Sequence, residues 1–359
     1  SVAHAGAGSM GQRAPKHGQP SKQKGATQPA AAAPRASSTG KAKASPTVAA
    51  VCTTLFLLEL VWAYVILQDK RVGEYAALSV LPFSMTGVML LLNFSKLVGR
   101  HLALGCGANK LNARKFGDQT WQLVIHVSMT LAEIYVLRGE TWYSDPGSTF
   151  EGHLQTRGAG VKDDAMWLYT IQLSIWVITC FSHHFLEARH KDYALMYAHH
   201  IVTIALILLS WGFGFQRIGL AVLYVHDASD ITIDLMKMFN YIKLEGPSGL
   251  FAVEITFVLN LLSWVWWRVY QLPFRIVRAC IVDAFLPMYE PICSSRPFYV
   301  ICSCYAFIWL LLALCLMHVY WFYLLLRIAY KLIAAPGKAH KSANEEYEGD
   351  SDDDNGKED

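Results

Sequence analysis

The sequence predicts an all-α polytopic membrane protein with about eight transmembrane helices. Of its 359 residues, 53% are hydrophobic. Several windows longer than about 18 residues carry almost no charge, and a helix needs about that length to cross the hydrocarbon core. These runs do not alternate polar and apolar residues, and they are far longer than the roughly 10-residue strands of a membrane barrel. The pattern therefore indicates a helical bundle and excludes a closed barrel.

The predicted spans follow one another between two polar tails. They are Ala49–Leu67, Ala76–Val98, Trp121–Leu137, Ala165–Phe181, Tyr193–Phe215, Ile218–Met238, Leu250–Tyr270 and Tyr299–Ile328. The sixth is the least hydrophobic, because it contains a histidine and three aspartates, so a hydropathy window alone could miss it. Residues 1–46 are basic and rich in Ala, Gly, Ser and Pro, while residues 334–359 are acidic. Both tails are predicted to be disordered.

Basic residues near the span ends predict the orientation. The tail before residue 47 contains seven lysines or arginines and no acid. Residues 47–114 comprise the first two spans and a basic loop, in which Arg100 and Arg114 lie near the membrane. Because Lys and Arg favour the cytosolic side, this loop and both termini are predicted to be cytosolic. Arg275, Arg278 and Arg296 oppose this orientation, since they fall in the loop predicted for residues 271–297.

Ionisable side chains at membrane depth indicate where chemistry takes place, because such groups are costly and normally functional. The fifth span carries the adjacent pair His199 and His200, and the sixth carries His226, Asp227 and Asp230. Neighbouring helical residues point about 100° apart, so we expect one histidine of the pair to react and the other to position it. We predict these five residues to be catalytic.

Four further polar residues are predicted to support this site. Thr203 lies within one helical turn of both histidines and could fix a tautomer. Asp234 and Lys237 continue the polar face of the sixth span, and Asn240 follows. A short turn joins the two spans, which favours antiparallel neighbours that bring an imidazole to a carboxylate, as acyl transfer requires. The single residues His126, His153, His318 and Glu133 are assigned no catalytic role.

The residues of these two spans resemble a known family. The runs KDYALMYAHHIVT (Lys191–Thr203), RIG (Arg217–Gly219), HDASDI (His226–Ile231) and KMFNY (Lys237–Tyr241) are similar to the Lag motif of the ceramide synthases, within a TLC domain. The resemblance covers about residues 115–333 and implies that six of the helices form a TLC-type bundle. Asp234 stands where the family commonly has glutamate, which keeps the charge and shortens the reach.

The resemblance implies N-acylation of a sphingoid base by a fatty acyl-CoA in the endoplasmic reticulum membrane, giving ceramide or dihydroceramide. Two routes stay open: a histidine acts as general base, or it forms an acyl-histidine intermediate. The implied partners are acyl-CoA, the sphingoid base and membrane lipids, with a homodimer or a small accessory membrane subunit. No metal, no nucleic acid and no cofactor other than the acyl-CoA co-substrate is expected.

Residues outside the two central spans are candidates for CoA binding, a disulfide and phosphorylation. Basic residues that could bind CoA at the cytosolic side are Arg189, Lys191, Lys243, Arg327 and Lys331, although the positive-inside rule explains them equally well. Cys280 and Cys293 are candidates for a lumenal disulfide, with two free thiols as the alternative. Ser351, followed by three aspartates, is a candidate phosphorylation site.

Two other classes of protein remain as alternatives. A TLC-fold lipid sensor or trafficking receptor would have no need for the complete set of His199, His200, Asp227 and Asp230. A di-iron lipid hydroxylase would use clustered histidines, and His183, His184 and the adjacent pair lie near one membrane face. The sequence lacks the HxxHH repeats of such enzymes, which makes this second alternative the weaker one.

Overall fold

The computed structural model describes residues 80–150, 163–186, 192–287 and 298–334, and these ranges contain seven long helices. They are α1 (Leu81–Gly105), α2 (Lys110–Leu137), α3 (Asp163–Phe185), α4 (Tyr193–Phe213), α5 (Gln216–Tyr241), α6 (Ala252–Phe285) and α7 (Phe298–Ala334). Short helical turns at Thr141–Ser144, Pro146–Phe150 and Pro247–Gly249 lie between them. The predicted all-α membrane fold is confirmed.

Six of these helices, all except α5, are long and apolar enough to cross a membrane. Helix α5 has 26 residues but carries the charged residues of the sixth predicted span. The first predicted span, Ala49–Leu67, and both tails lie outside the described residues. The total of eight spans therefore stays a prediction.

Helices α2 to α7 form a ring in the spatial order α2, α5, α6, α7, α4, α3, and α5 also contacts α3 and α4 across it. Helix α1 lies outside this ring against α2 and α3, where Val88 and Leu92 pack on Trp121, Ile125 and Ile178. One end of the ring is filled by the largest hydrophobic cluster, which includes Leu206, Ile207, Ile218, Leu272 and Leu311. We call the opposite end, where α2 and α4 begin and α5 and α7 end, the mouth end.

One connection is much shorter than predicted, and another has the predicted length. Helices α1 and α2 run further than expected, so only residues 106–109 separate them, and the Asn109 side chain caps α2 by accepting from the backbone N–H of Asn112 at 2.7 Å. Gly214, with φ at +81°, ends α4 in the left-handed conformation that glycine adopts without strain. The resulting two-residue turn makes α4 and α5 antiparallel neighbours, as predicted.

Helix α6 extends 15 residues beyond the predicted end at Tyr270 and occupies the first half of the predicted loop. Proline lacks the backbone N–H needed for an internal helical hydrogen bond, and its ring crowds the preceding turn. The segment Val265–Val277, which contains Pro273, adopts a π-helix instead of ending. A π-helix shifts the hydrogen bonds by one residue and often occurs at functional sites.

Gly219 on α5 lies against the Tyr169 ring of α3, and a Cβ at this position would overlap the Tyr169 hydroxyl, which hydrogen-bonds to Ser210. We expect Gly219→Ala to lower stability by about 1–3 kcal/mol, because a packed interior cannot absorb the extra atom. The matched control is Gly212→Ala on α4, where no atom of the described residues, apart from the adjoining backbone of α4 itself, lies within 4 Å of the added Cβ. The control should be neutral or stabilising by up to about 1 kcal/mol. Thermal unfolding in detergent measures both, and equal shifts would contradict the steric argument.

Candidate active site

A cavity of about 230 Å³ lies inside the ring at the mouth end, and side chains from all six ring helices line it. Its polar and charged lining includes Gln119, His126, His183, His199, His200, Asp227, Asp230, Asp234, Lys237 and Arg268. The structure therefore brings together the predicted histidine pair and the three predicted aspartates. Apolar residues of α7, among them Leu324, Leu325 and Ile328, complete the wall.

His199 and His200 are both buried, although both line the cavity. The Nδ1–H of His200 donates to the backbone carbonyl of Met196 at 2.8 Å, so in the neutral ring Nε2 carries the lone pair. The Thr203 hydroxyl is buried with no hydrogen-bond partner among the described residues. The carbonyl of Met196, not the predicted Thr203, therefore fixes the tautomer of His200.

His226 packs behind His199, with the two rings stacked at a centroid distance of 5.9 Å. Its Nδ1–H donates to the Val222 carbonyl at 2.6 Å. His318 of α7, which the sequence analysis left without a role, lies 4.8 Å from His226 between ring centroids. Neither His226 nor His318 lines the cavity. The geometry therefore places His226 among the groups that support His199.

The aspartates of α5 face polar side chains of α2, which sequence reasoning missed. Gln119, His126 and Glu133 are seven residues apart and therefore share one face of α2. The Nδ1–H of His126 donates to Asp234 Oδ2 at 2.6 Å, and Gln119 Nε2 donates to Asp234 Oδ1 at 2.5 Å. The carboxylate–imidazole pair expected at His199 or His200 is thus formed by His126.

Arg268, inside the π-helical segment of α6, is the second residue that sequence reasoning missed. Its buried guanidinium donates to Asp230 Oδ1, Ser229 Oγ and His318 Nε2, each at 2.6 Å. A fourth bond reaches the His226 carbonyl at 3.2 Å. One side chain therefore joins α5, α6 and α7. In the sequence, Arg268 is marked only as a single charged residue within an otherwise apolar run.

Asp227 lies close to a second buried carboxyl group, that of Glu133 on α2, on the side away from the mouth end. The amide nitrogen of Gln172 on α3 donates to Asp227 Oδ2 at 2.5 Å and to Glu133 Oε1 at 2.9 Å. All three side chains are buried, at 0–2% exposure. A single amide therefore donates to both carboxyl groups, which partly compensates them for lost hydration.

We expect Gln172→Leu to lower the unfolding temperature, because each buried carboxyl left without its donor costs about 1–3 kcal/mol. The double variant Gln172→Leu with Glu133→Leu should be more stable than the single variant, since it removes one stranded group. Asn93→Leu on α1 is the control, because its amide is exposed and, among the described residues, donates to the Met89 carbonyl alone. A double variant that is less stable than Gln172→Leu would refute this account.

The predicted CoA-binding residues that the structure describes do not line the cavity. Lys243 and Arg327 are exposed, and neither they nor Lys331 line the cavity. The basic residues that do line it toward the mouth are Arg114, Lys115 and Lys237.

Other predicted residues contribute less to the site. Asn240 is half-buried near the end of α5, and Cys280 is buried on α6. Arg189, Lys191, Cys293 and Ser351 lie outside the described residues, so the disulfide and the phosphorylation site stay predictions. Within the described ranges, no group of three or more His, Cys, Asp or Glu side chains is placed to hold a metal ion.

A ring of membrane helices around a buried histidine–carboxylate cavity defines a polytopic membrane protein of the TLC class, and residues 115–327 match the model of the TLC domain family. The chain is 28% identical to human ceramide synthase 1 over 253 residues, which cover 67% of each chain. It is 30% identical to ceramide synthase 1 LOH3 of Arabidopsis thaliana over 251 residues, 67% of this chain and 76% of that protein. Sphingosine N-acyltransferase lag1 of Schizosaccharomyces pombe is 29% identical over 241 residues, 65% and 58% of the two chains. The chain therefore belongs to the ceramide synthase family of TLC-domain membrane proteins.

Proposed function

We propose that this protein is a ceramide synthase, which joins the acyl group of a fatty acyl-CoA to the amine of a sphingoid base. The observation that carries the proposal is the cavity itself, which His199 and His200 line together with three aspartates of α5. The names of the relatives, ceramide synthase and sphingosine N-acyltransferase, support the same reaction.

The reaction requires proton transfer as well as acyl transfer. A sphingoid base is an ammonium ion at neutral pH and has to lose a proton before its nitrogen attacks the thioester carbon. The C–N bond forms, the C–S bond breaks, and the products are the amide, the CoA thiol and one proton. His200 Nε2 can take part in either of two ways. It can act as a general base that removes a proton from the amine, or as a nucleophile that attacks the thioester and carries the acyl group.

The substrates are placed by charge and polarity. CoA is polyanionic, so we place its phosphates at the mouth end beside Arg114, Lys115 and Lys237. The alkyl chains contact the apolar wall of α7. Because the opposite half of the ring is filled by the hydrophobic core, both lipids approach the histidines from the mouth end.

Orientation follows from the location of the co-substrate. We place the protein in the endoplasmic reticulum membrane as a multi-pass protein, with the mouth end and both termini in the cytosol, where acyl-CoA is found. The basic residues at the mouth end agree with the positive-inside rule. A homodimer or an accessory subunit is compatible with this arrangement.

The test is N-acylation by the detergent-purified protein, given sphinganine and a panel of acyl-CoAs. We expect ceramide product with at least one acyl chain length. The intact-protein mass, read after acyl-CoA alone, distinguishes the two routes, since an added acyl mass that disappears with sphinganine indicates an acyl-histidine. Folded protein that yields no product across the panel, but binds ceramide or sphinganine, would favour the lipid sensor instead.

A further inference from the structure

His126 on α2 and the histidine pair of α4 line the same cavity, and α3 lies between these two helices in the ring. The His126 side chain is 14% exposed. It lies close to two carboxylates of α5, Asp230 and Asp234. A histidine in a cavity wall with carboxylate neighbours is the arrangement that general-base catalysis requires.

Asp234 fixes the tautomer of His126. One carboxylate oxygen accepts the Nδ1–H of His126 at 2.6 Å, and the other accepts from the Gln119 amide at 2.5 Å. Because both oxygens are engaged, the carboxylate cannot rotate away from the ring. The proton of the neutral imidazole is therefore held on Nδ1, and Nε2 carries the lone pair.

Asp230 places a second acceptor beside that lone pair. Arg268 binds Oδ1 of Asp230 at 2.6 Å, which leaves Oδ2 facing His126 Nε2 at 3.8 Å. This separation is too long for a direct hydrogen bond. An ammonium group has three N–H donors and a positive charge, so one such group between the two atoms satisfies both acceptors and the carboxylate charge.

We infer that His126 is the general base that deprotonates the amine substrate, that Asp234 is its positioning residue, and that Asp230 is the counter-charge of the bound ammonium. The inference rests on the proposed function. One ammonium N–H bond breaks and its proton moves to His126 Nε2, after which the nitrogen lone pair attacks the thioester carbon. The C–S bond breaks with its electron pair going to sulfur, and sulfur takes the second amine proton. His126 then releases its proton to solvent at the mouth end.

The assignment separates two roles among the cavity histidines. His126 on α2 is assigned to the amine, whereas His199 and His200 line the cavity from α4. The charged groups around His126 are Asp227, Asp230 and Asp234 of α5, with Lys237 beside Asp234 and Arg268 on Asp230. The lone pair of His126 and the charge of Asp230 together select a cationic amine.

The test is sphinganine N-acylation by purified His126→Gln, measured at about pH 7 and about pH 9. At neutral pH we expect kcat/KM for sphinganine to fall roughly 10²-fold or more, the usual contribution of a general base. A rise of about two pH units increases the uncharged fraction of an aliphatic amine about 100-fold, so the variant should recover relative to the wild type at the higher pH. His101→Gln, at an exposed position on α1, is the matched control and should behave as the wild type.

The possible results distinguish a catalytic role for His126 from a structural one. A loss at neutral pH without recovery at high pH would show a structural role for His126 and would overturn the inference, as would full activity at both values. Asp234→Asn provides the second variant if His126→Gln does not fold, and it should show a smaller loss with the same recovery. A wild-type protein that forms no N-acyl product at all would instead refute the proposed function.

Discussion

Replacement of His200 by asparagine is expected to lower kcat for N-acylation by roughly 10²- to 10⁴-fold while the protein stays folded. The asparagine amide can donate to the Met196 carbonyl as Nδ1 does, so the local hydrogen bond is kept. What the variant lacks is the second ring nitrogen, Nε2, to which we assign the reaction. Initial rates with saturating sphinganine and acyl-CoA, together with the thermal unfolding midpoint, measure both effects.

The comparison with His199→Asn separates the two members of the pair. Nδ1 of His199 is buried and has no hydrogen-bond partner among the described residues, whereas the tautomer of His200 is fixed. We therefore expect a smaller loss of kcat for His199→Asn than for His200→Asn. The opposite order would assign the reacting nitrogen to His199. His101→Asn, exposed on α1, controls for the loss of an imidazole elsewhere.

Arg268→Met is expected to be the most destabilising single substitution at the site. Removing one partner of a buried ion pair costs about 3–5 kcal/mol, because it leaves an uncompensated charge. Here the stranded group is Asp230, and the bonds to Ser229 and His318 are lost as well. The unfolding midpoint and the yield of monodisperse protein in detergent measure the loss.

Two further variants show whether the ion pair between Arg268 and Asp230 is responsible for the loss of stability. Arg278→Met removes an exposed arginine of α6 that lies 4.0 Å from Asp283, and it should change stability little. Combining Arg268→Met with Asp230→Asn removes the stranded charge, so the double variant should be more stable than Arg268→Met. It should remain inactive, because Asp230 belongs to the cavity. A double variant less stable than the single one would show that Arg268 acts through its other bonds.

The sequence predicted the helices and the polar residues of α4 and α5 because both have local signals. Apolar runs of sufficient length identify spans, and the adjacent histidines and the HDASDI segment carry ionisable groups at membrane depth. The α2 stripe of Gln119, His126 and Glu133 also had a signal, since its members repeat every seven residues.

The pairing of α2 with α5 could not be predicted from the sequence. Whether His126 meets Asp230 or Asp234 depends on a vertical shift of about one helical turn, or about 5.4 Å. The predicted span ends were uncertain by several residues, which is a larger error than that shift. The same holds for Arg268, because its bonds to Asp230 and His318 depend on how α6 packs against α5 and α7.

Helix α5 has a consequence for how the protein is made. Each aspartate at the centre of an isolated helix costs about 2.5–3.5 kcal/mol on membrane insertion, and α5 carries Asp227, Asp230 and Asp234. Two of its polar partners, Gln119 and His126, lie on α2, which leaves the ribosome about 100 residues earlier. The nascent α5 would therefore enter the bilayer only when α2 is still held beside the translocon, so that assembly of the cavity and integration of the chain are a single event during synthesis.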